Sequence, residues 1–234
     1  MTVKRTLAFL ILALMALVLA QSPLDKLKAA LDRLRGPAHQ GVYVLTVERP
    51  GSTKTYRIKV YTDGNRAHLR VLEPRSEAGQ AFLSLGQDLY LYDPRLDRTL
   101  RLPPTGRTER FLGSDLTYQD LMGRDLEELF QVAEAQGVLV LTPKPGAATP
   151  YGRVEVYLKG DLIERILYYD QRGQAVRELW LEGYQRLDGA YLPRVMELRD
   201  LLKEGYRTRV EIQEVRVGPI PERCFNPLAL ERGC

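Results

Sequence analysis

The sequence predicts a mainly β protein of the α+β class, in which a strongly curved antiparallel sheet forms an incomplete barrel. Two observations lead to this expectation. From residue 41 onward, short runs rich in Val, Tyr, Thr and Leu follow one another between turn signals, and we count roughly ten of them. Helical segments are too few to cover a flat sheet of that size, and a long open sheet leaves exposed edges. The sheet is therefore expected to bend until two short helical segments plug its concave apolar face.

The N-terminus, residues 1–20, predicts a secretory signal peptide. Two basic residues precede a long uncharged run, and Val18 and Ala20 place small residues where signal peptidase reads them. The run is short for a hydrocarbon core of about 30 Å. We expect cleavage near Ala20, which would leave residues 21–234 as a single soluble domain in the periplasm or another exported location. An uncleaved membrane anchor is the alternative.

Charges of both signs are mixed along the chain, with 34 Lys and Arg residues and 30 Asp and Glu residues. Basic side chains are interspersed with acidic ones along the predicted strands, unlike the clustered basic stripe of a nucleic-acid-binding surface. The composition therefore argues against a nucleic-acid partner. The length suits one domain, which we expect to be a monomer.

The stretch that follows the signal predicts an amphipathic helix. Ser22 and Pro23 are a typical N-cap and first helical residue, and Gly36 ends the pattern. Leucines recur at helical spacing, at Leu24, Leu27, Leu31 and Leu34. This helix is expected to cover the core like any surface helix or, if a cavity lies beneath it, to act as a movable lid.

Several predicted strands have one apolar and one polar face. Apolar side chains alternate with charged or polar ones at Tyr56, Ile58 and Val60, at Val154, Val156 and Leu158, and at Val210 and Ile212. The stretches at residues 89–92 and 166–169 are apolar on both faces. His68 stands between Arg66 and Arg70 on the polar face of its strand, so we expect it at the surface.

A second helical signal lies between residues 113 and 135. Thr117 and Asp120 resemble a capping box, and several leucines follow them. Residues 130–142 instead favour a hairpin, because Val138 begins a compact apolar strand after a Gln-Gly turn signal. The exact ends of the helical part are left open by this pattern.

The sequence contains no recognisable catalytic arrangement. Its two histidines, His39 and His68, belong to no motif, and the nucleophile elbow, the phosphate-binding loop and the zinc-protease pair are all missing. Glu127 and Glu128 are expected to be solvated charges, since adjacent residues diverge on a helix. We therefore predict a protein that is not an enzyme and has no catalytic residue, no metal and no cofactor.

Two cysteines, Cys224 and Cys234, lie near the end of the chain. An exported protein can keep a disulfide, and a bond between these residues would staple the tail by closing a short loop. Whether they are bonded stays open at this point. A metal site is not expected, because two thiolates without a nearby histidine fall short of the ligands that zinc takes.

Residues 111–121, Phe-Leu-Gly-Ser-Asp-Leu-Thr-Tyr-Gln-Asp-Leu, resemble the signature of the LolA-like family of bacterial outer-membrane lipoprotein-sorting proteins. Leu116 stands where the signature has phenylalanine, and Gln119 where it has glutamate. The C-terminal part follows the order and approximate spacing of the family's closing strands, at Gly189, Leu192, Pro193, Met196, Asp200, Gly205, Thr208, Ile212, Val215, Ile220, Pro221, Phe225 and Leu230. The resemblance covers nearly all of the chain after residue 20.

The resemblance implies a half-barrel with a hydrophobic cavity closed by the two helical segments, and it favours that cavity over an ordinary filled core. It further implies a periplasmic carrier, or chaperone, that binds the acyl chains of lipoproteins or lipids for sorting to the outer membrane. An inner-membrane transporter and an outer-membrane acceptor would be its partners. A periplasmic accessory subunit that docks on a membrane transporter is the alternative, and an enzyme of unknown class is a third.

The residues expected to line the cavity come from the apolar strand faces and from the first helix. They are Ile58, Val60, Leu69, Val71, Leu91, Val154, Val156, Val210 and Ile212, with Leu27 and Leu31 from the lid. Plain core packing is the alternative for each. In the signature, the residues expected to position the second lid or contact a partner are Gly113, Ser114, Asp115, Tyr118 and Asp120. Helix capping is the alternative role.

Overall fold

The computed structural model describes residues 21–120 and 125–234. The predicted signal peptide lies outside the described residues, as does Leu121 at the end of the signature. Within the described part of the chain, no helix combines the length and the apolar character that crossing a membrane requires.

Strands make up most of the described chain. In order they are β1 (His39–Arg49), β2 (Ser52–Thr62), β3 (Arg66–Glu73), β4 (Ala81–Leu85), β5 (Asp88–Asp93), β6 (Arg98–Arg101), β7 (Phe130–Ala135), β8 (Val138–Pro143), β9 (Tyr151–Lys159), β10 (Leu162–Asp170), β11 (Ala175–Glu182), β12 (Gln185–Leu187), β13 (Ala190–Leu192), β14 (Val195–Asp200) and β15 (Arg207–Val217). Thirteen of them form one antiparallel sheet, in the order β6-β5-β4-β3-β2-β1-β15-β14-β11-β10-β9-β8-β7, and β12 and β13 form a separate hairpin. The sheet does not close into a barrel. The predicted fold class is confirmed, with more strands than the sequence pattern suggests.

The middle strand of the sheet is β15, and β1 lies beside it, paired with β15 on one side and with β2 on the other. Tyr43 lies opposite Ile58 of β2 and Ile212 of β15, so three inward side chains meet in one row. A register shift between Val42 and Tyr43 marks a bulge against β15, and bulges increase the local bend of a sheet.

Helix α1 (Pro23–Arg35) begins and ends where the sequence predicts. The Ser22 hydroxyl accepts a hydrogen bond from the backbone N–H of Asp25, which caps the first turn. Gly36 has φ 69°, a value that glycine adopts easily, and its N–H donates to the Asp32 carbonyl to end the helix. Two shorter helices are α2 (Asp125–Leu129) and α3 (Ala229–Arg232).

The region of the second helical signal divides into a short helix and a hairpin. Among the described residues of that region, α2 is the α-helical part, and β7 follows it directly. The hairpin predicted over residues 130–142 is confirmed as β7 and β8. Its turn residues, Gln136 and Gly137, both have positive φ (52° and 79°), as a tight hairpin turn requires.

Two clusters of buried side chains occupy the concave face. The first lies beneath α1 and packs Leu27 and Leu31 against side chains of β7 to β11, such as Phe130 and Val154. The second lies on β1 to β5 and includes Phe82. Each inner side chain of these strands alternates with one on the opposite face, as the sequence pattern predicts.

The C-terminal tail, residues 218–234, covers part of the opposite face. Phe225 and Leu230 of the tail pack against Leu83 of β4 and Tyr92 of β5. This packing explains why residues 89–92 are apolar on both faces. Cys224 and Cys234 are joined by a disulfide within the tail.

The prediction that His68 lies at the surface is wrong. Its side chain is fully buried, and its Nδ1 lies 3.0 Å from the Cys224 carbonyl oxygen. The neighbouring Arg70 donates hydrogen bonds to the carbonyls of Ala229 and Leu230, at 3.1 and 2.6 Å. Both residues are on the polar face of β3, as expected, but the tail folds over that face and removes it from water.

Candidate ligand-binding cavity

A cavity of about 210 Å³ lies between the concave face of the sheet and the elements that cover it. Leu34 and Arg35 of α1 close one side, Leu192 at the end of the β12–β13 hairpin closes another, and Phe111 and Leu116 of the signature close a third. Pro193 follows Leu192 in the lining, and the sheet supplies the rest, from His39, Tyr43, Leu45, Ile58, Val60, Thr62, Ala67, Leu69, Met196, Val210 and Ile212. The lining is mostly apolar.

The structure places the predicted cavity residues in three settings. Those that border the cavity are Ile58, Val60, Leu69, Val210 and Ile212. Val71 and Leu91 belong to the adjoining cluster on β1 to β5 and do not border the space. The others, Leu27, Leu31, Val154 and Val156, belong to the filled cluster beneath α1. The reason is that α1 itself occupies that half of the concave face.

Two polar side chains at the start of β1 face the cavity, and neither is among the residues predicted to line it. His39 Nδ1 lies 2.7 Å from the Pro37 carbonyl oxygen, and His39 Nε2 lies 2.7 Å from the Tyr43 hydroxyl. Burial lowers the pKa of His39 from its ordinary value of 6.5. Burial also raises the pKa of Tyr43, which therefore keeps its proton. The alternation His-x-Gly-x-Tyr on one strand face is the signal that could have revealed this pair.

Residues 111–120, here called the strap, run along the rim of the cavity. Asp115 is buried at one end of β1, where Arg49 Nη1 donates to its Oδ2 at 2.9 Å and the Thr208 hydroxyl donates to the same atom at 2.8 Å. Arg49 also donates to the Gly113 carbonyl at 2.8 Å. Asp115 therefore ties the strap to β1 and β15.

Asp120 ties the other end of the strap to the far half of the sheet. Arg177 of β11 donates two hydrogen bonds to its carboxylate, at 3.1 and 2.7 Å, and one to the Tyr151 hydroxyl at 3.1 Å. Burial alone would lower the pKa of Arg177, but the charge of Asp120 raises it above its ordinary value. The same carboxylate accepts from the Thr117 N–H and hydroxyl. The local capping contact and the long-range anchor therefore share one residue.

The middle of the strap is fixed by rings and by a tight turn. Tyr118 and Phe111 pack against Phe82 of β4, with ring centroids 5.9 and 4.8 Å from the Phe82 ring. Gly113 has φ 70°, and the Ser114 hydroxyl accepts a hydrogen bond from the Leu116 N–H at 3.1 Å. All five predicted signature residues therefore lie in one structural unit beside the cavity.

An ion pair links the two helices near the cavity. Arg35 at the end of α1 donates to Glu127 of α2 at 2.7 Å, and both side chains are mostly buried. The prediction that Glu127 is a solvated charge is wrong, because α1 packs beside α2 and brings the guanidinium to it. Glu128, the next residue, is exposed as predicted.

A family model described as "Uncharacterized protein" matches residues 63–232. The chain belongs to this family. No curated protein matches it. The fold of this family member can be compared with those of solved structures.

One similar structure is an outer membrane lipoprotein-sorting protein domain from Vibrio parahaemolyticus, with TM-score 0.76 and 22% identity, covering 90% of this chain and 98% of that one. Another is a DUF1329 family protein from Desulfovibrio piger, with TM-score 0.74 and 22% identity, covering 90% and 100%. A LolA superfamily protein from Nitrosomonas europaea gives TM-score 0.70 and 21% identity, covering 88% and 98%. The family member has the LolA-like fold, and the predicted resemblance is confirmed at that level.

Residues that could hold a metal are not grouped in the described part of this family member. No cluster of three or more His, Cys, Asp or Glu side chains with suitable geometry occurs there. The arrangement instead offers an apolar space with a few polar atoms at one end, which can bind an apolar or amphipathic ligand.

Proposed function

We propose that this chain is an exported carrier that binds the acyl chains of lipoproteins or lipids on its concave face and passes them toward the outer membrane. The apolar cavity between the sheet, α1 and the strap is the observation that carries the proposal. The predicted signal peptide supports export to the periplasm. The Vibrio parahaemolyticus domain with the same fold is named for lipoprotein sorting, which supports the choice of ligand.

The size of the cavity implies that cargo binding moves the lid. At about 210 Å³ the space is smaller than typical ligand pockets of about 300 to 1,000 Å³. A long acyl chain would therefore need the volume that α1 now fills. In this proposal the arrangement of α1 on the concave face is the closed form, in which α1 takes the place of cargo.

The free energy lost when α1 is lifted and the free energy gained when an acyl chain is buried are similar in size. Lifting α1 would expose Leu27 and Leu31, at about 1.5 to 3 kcal/mol each. An acyl chain gains about 0.8 kcal/mol per buried methylene, so about four to eight methylenes offset the two leucines. The carrier can then load a chain of ordinary length and still release it when α1 returns.

The first test is native mass spectrometry of residues 21–234, purified from an exporting host without detergent, followed by lipid extraction. We expect a co-purifying acylated species near one per chain. A clean protein mass that does not change after incubation with lipoproteins and lipids would contradict the carrier function. That result would favour the accessory subunit that docks on a membrane transporter, for which the filled half of the concave face is the supporting observation.

A pair of variants on β2 sharpens the test. Ile58 borders the cavity, and Ile58→Trp should fill it, whereas Arg57→Trp adds the same ring to the opposite face. We expect bound lipid to fall several-fold in the first variant and to stay unchanged in the second. Circular dichroism on both proteins would verify that they fold. Equal lipid content in the two variants would count against binding in this cavity.

A further inference from the structure

The cavity has a polar end and an apolar end. His39 at the start of β1 lies opposite Thr62 at the end of β2, and both border the cavity near Arg35 of α1. At the other end, Phe111 and Leu116 of the strap form the wall. A ligand that fills the space is therefore oriented, with its polar group toward the start of β1.

The His39–Tyr43 pair depends on the glycine between them. His39, Gly41 and Tyr43 alternate on the inner face of β1. A Cβ at position 41 would lie 3.2 Å from Cε1 of the Tyr43 ring and would clash with the Glu214 carbonyl oxygen. The absence of a side chain at Gly41 lets the two rings approach, with centroids 6.3 Å apart and planes 16° from parallel.

The hydrogen-bond partners fix where the protons lie. The Pro37 carbonyl has no hydrogen to donate, so the neutral ring of His39 carries its proton on Nδ1. Its Nε2 then accepts, and the Tyr43 hydroxyl is the donor in the 2.7 Å contact. Among the described residues, Tyr43 makes its side-chain hydrogen bond to His39 alone. Tyr43 borders the cavity, and its oxygen keeps acceptor capacity while its hydrogen is already in use.

We propose that Tyr43 Oη, oriented by His39, accepts a hydrogen bond from an N–H or O–H group adjacent to the ligand's acyl chain. This inference rests on the proposed carrier function and narrows its ligand class. The preferred ligands are N-acylated amines and acyl lipids with a free hydroxyl near the ester. A fully esterified chain has no donor for this oxygen and cannot use it.

Two simple probes test the effect of the hydrogen-bond donor of the ligand by itself. N-methyldodecanamide and methyl dodecanoate have the same acyl chain and carbonyl, and they differ by an N–H in place of the ester oxygen. Their affinities for the protein of residues 21–234 would be measured by displacement of a fluorescent fatty-acid probe. In Tyr43→Phe, we expect the amide-to-ester affinity ratio to fall about tenfold, the value of one hydrogen bond of typical strength.

The control is Tyr118→Phe, which removes a hydroxyl from a ring that packs in the strap and does not border the cavity. This variant should keep the wild-type ratio. In His39→Phe, the Tyr43 hydroxyl hydrogen has lost its acceptor and can be donated to the carbonyl of either probe. Because both probes have this carbonyl, the hydroxyl no longer distinguishes them, and the amide-to-ester affinity ratio should fall as well. Thermal unfolding would establish that each variant is folded.

The outcomes separate this inference from the carrier function. If both probes bind and Tyr43→Phe leaves the ratio unchanged, the acceptor site is overturned while the carrier function stands. A ratio that stays unchanged in His39→Phe overturns the orienting role of His39. If neither probe displaces the fluorescent lipid from the wild-type protein, the carrier function fails, and the inference fails with it.

Discussion

At the residue scale, the strap is held by carboxylates that meet arginines from distant strands. Asp115 pairs with Arg49, and Asp120 pairs with Arg177; Asp115 is buried, both arginines are mostly buried and Asp120 is partly buried. Such pairs are costly to break from one side, because the remaining charge stays in a poorly solvated place. They hold the strap in position beside the cavity.

Replacing Asp120 tests this anchoring. In Asp120→Asn, the buried Arg177 guanidinium loses its counter-charge, and we expect the free energy of unfolding to fall by about 3 kcal/mol. The matched control is Asp161→Asn, which breaks the exposed pair with Arg33 and should cost less than about 1 kcal/mol. Urea denaturation of both variants measures the difference. Equal losses would show that Asp120 is not an anchor.

A second residue-scale prediction concerns pH. Burial lowers the pKa of His68 below its ordinary value of 6.5, so near pH 6 the unfolded chain binds more protons than the folded one. Stability is therefore full above about pH 6.5 and decreases as the pH falls below it. His39 contributes in the same direction. We expect His68→Leu to lose less stability than the wild type between about pH 7.5 and pH 5.5, measured by urea midpoints. A loss in His68→Leu as large as that of the wild type would show that His68 does not cause the pH dependence.

At the element scale, the tail acts as a cover for β3 to β5. Phe225 and Leu230 bury the outer side chains of these strands, and the Cys224–Cys234 bond closes the tail on itself. A polar strand face is thereby converted into an interior. Cys224 of the tail lies 156 residues along the chain from His68, whose ring it contacts.

The disulfide should stabilise the tail in its covering position. We expect Cys224→Ser with Cys234→Ser to lower the free energy of unfolding by about 2 to 3 kcal/mol, the chain-entropy value for a loop of this length. Thermal unfolding with and without a reductant measures it. The reductant should destabilise the wild type and leave the double variant unchanged. No effect of the reductant on the wild type would contradict this role.

Helix α1 has two roles, since it completes the core and would occupy the place of cargo. Leu27→Ala should lower the free energy of unfolding by about 2 to 5 kcal/mol, because Leu27 is fully buried. If α1 is also the lid, the same variant should bind a fluorescent fatty-acid probe more tightly, since opening costs less. The control is Lys28→Ala on the exposed side of the helix, which should change neither quantity. Weaker probe binding in Leu27→Ala would argue against a lid.

At the scale of the whole molecule, the sheet joins the beginning and the end of the chain at its centre. The β1 strand pairs with β15, while β6 and β7 are the two edges. Hydrogen exchange should therefore be slowest in β1, β2 and β15 and fastest in β6 and β7. Mass spectrometry of exchanged peptides would measure this order. Fast exchange in β1 would show that the centre is not the most stable part.

Much of this architecture follows from local sequence patterns. The alternation at Ile58 and Val60 places these residues on the inner face, and the capped leucine pattern predicts α1 closely. The cavity lining was predicted only in part. Periodicity reports which face of a strand a residue occupies, but it does not report whether α1 or an open space lies above that face. Val154 and Ile58 have the same pattern and different surroundings for this reason.

Patterns in the sequence are enough to predict the antiparallel sheet, the first helix, the β7–β8 hairpin and the likeness to the LolA-like fold. The burial of His68, the pairing of Glu127 with Arg35, and the polar end of the cavity at His39 and Tyr43 depend on how the chain folds. The difference arises because local patterns depend on neighbours within one turn or one strand. The burial of a side chain and its ion pairs depend on which distant element packs against it, and only the folded chain shows that.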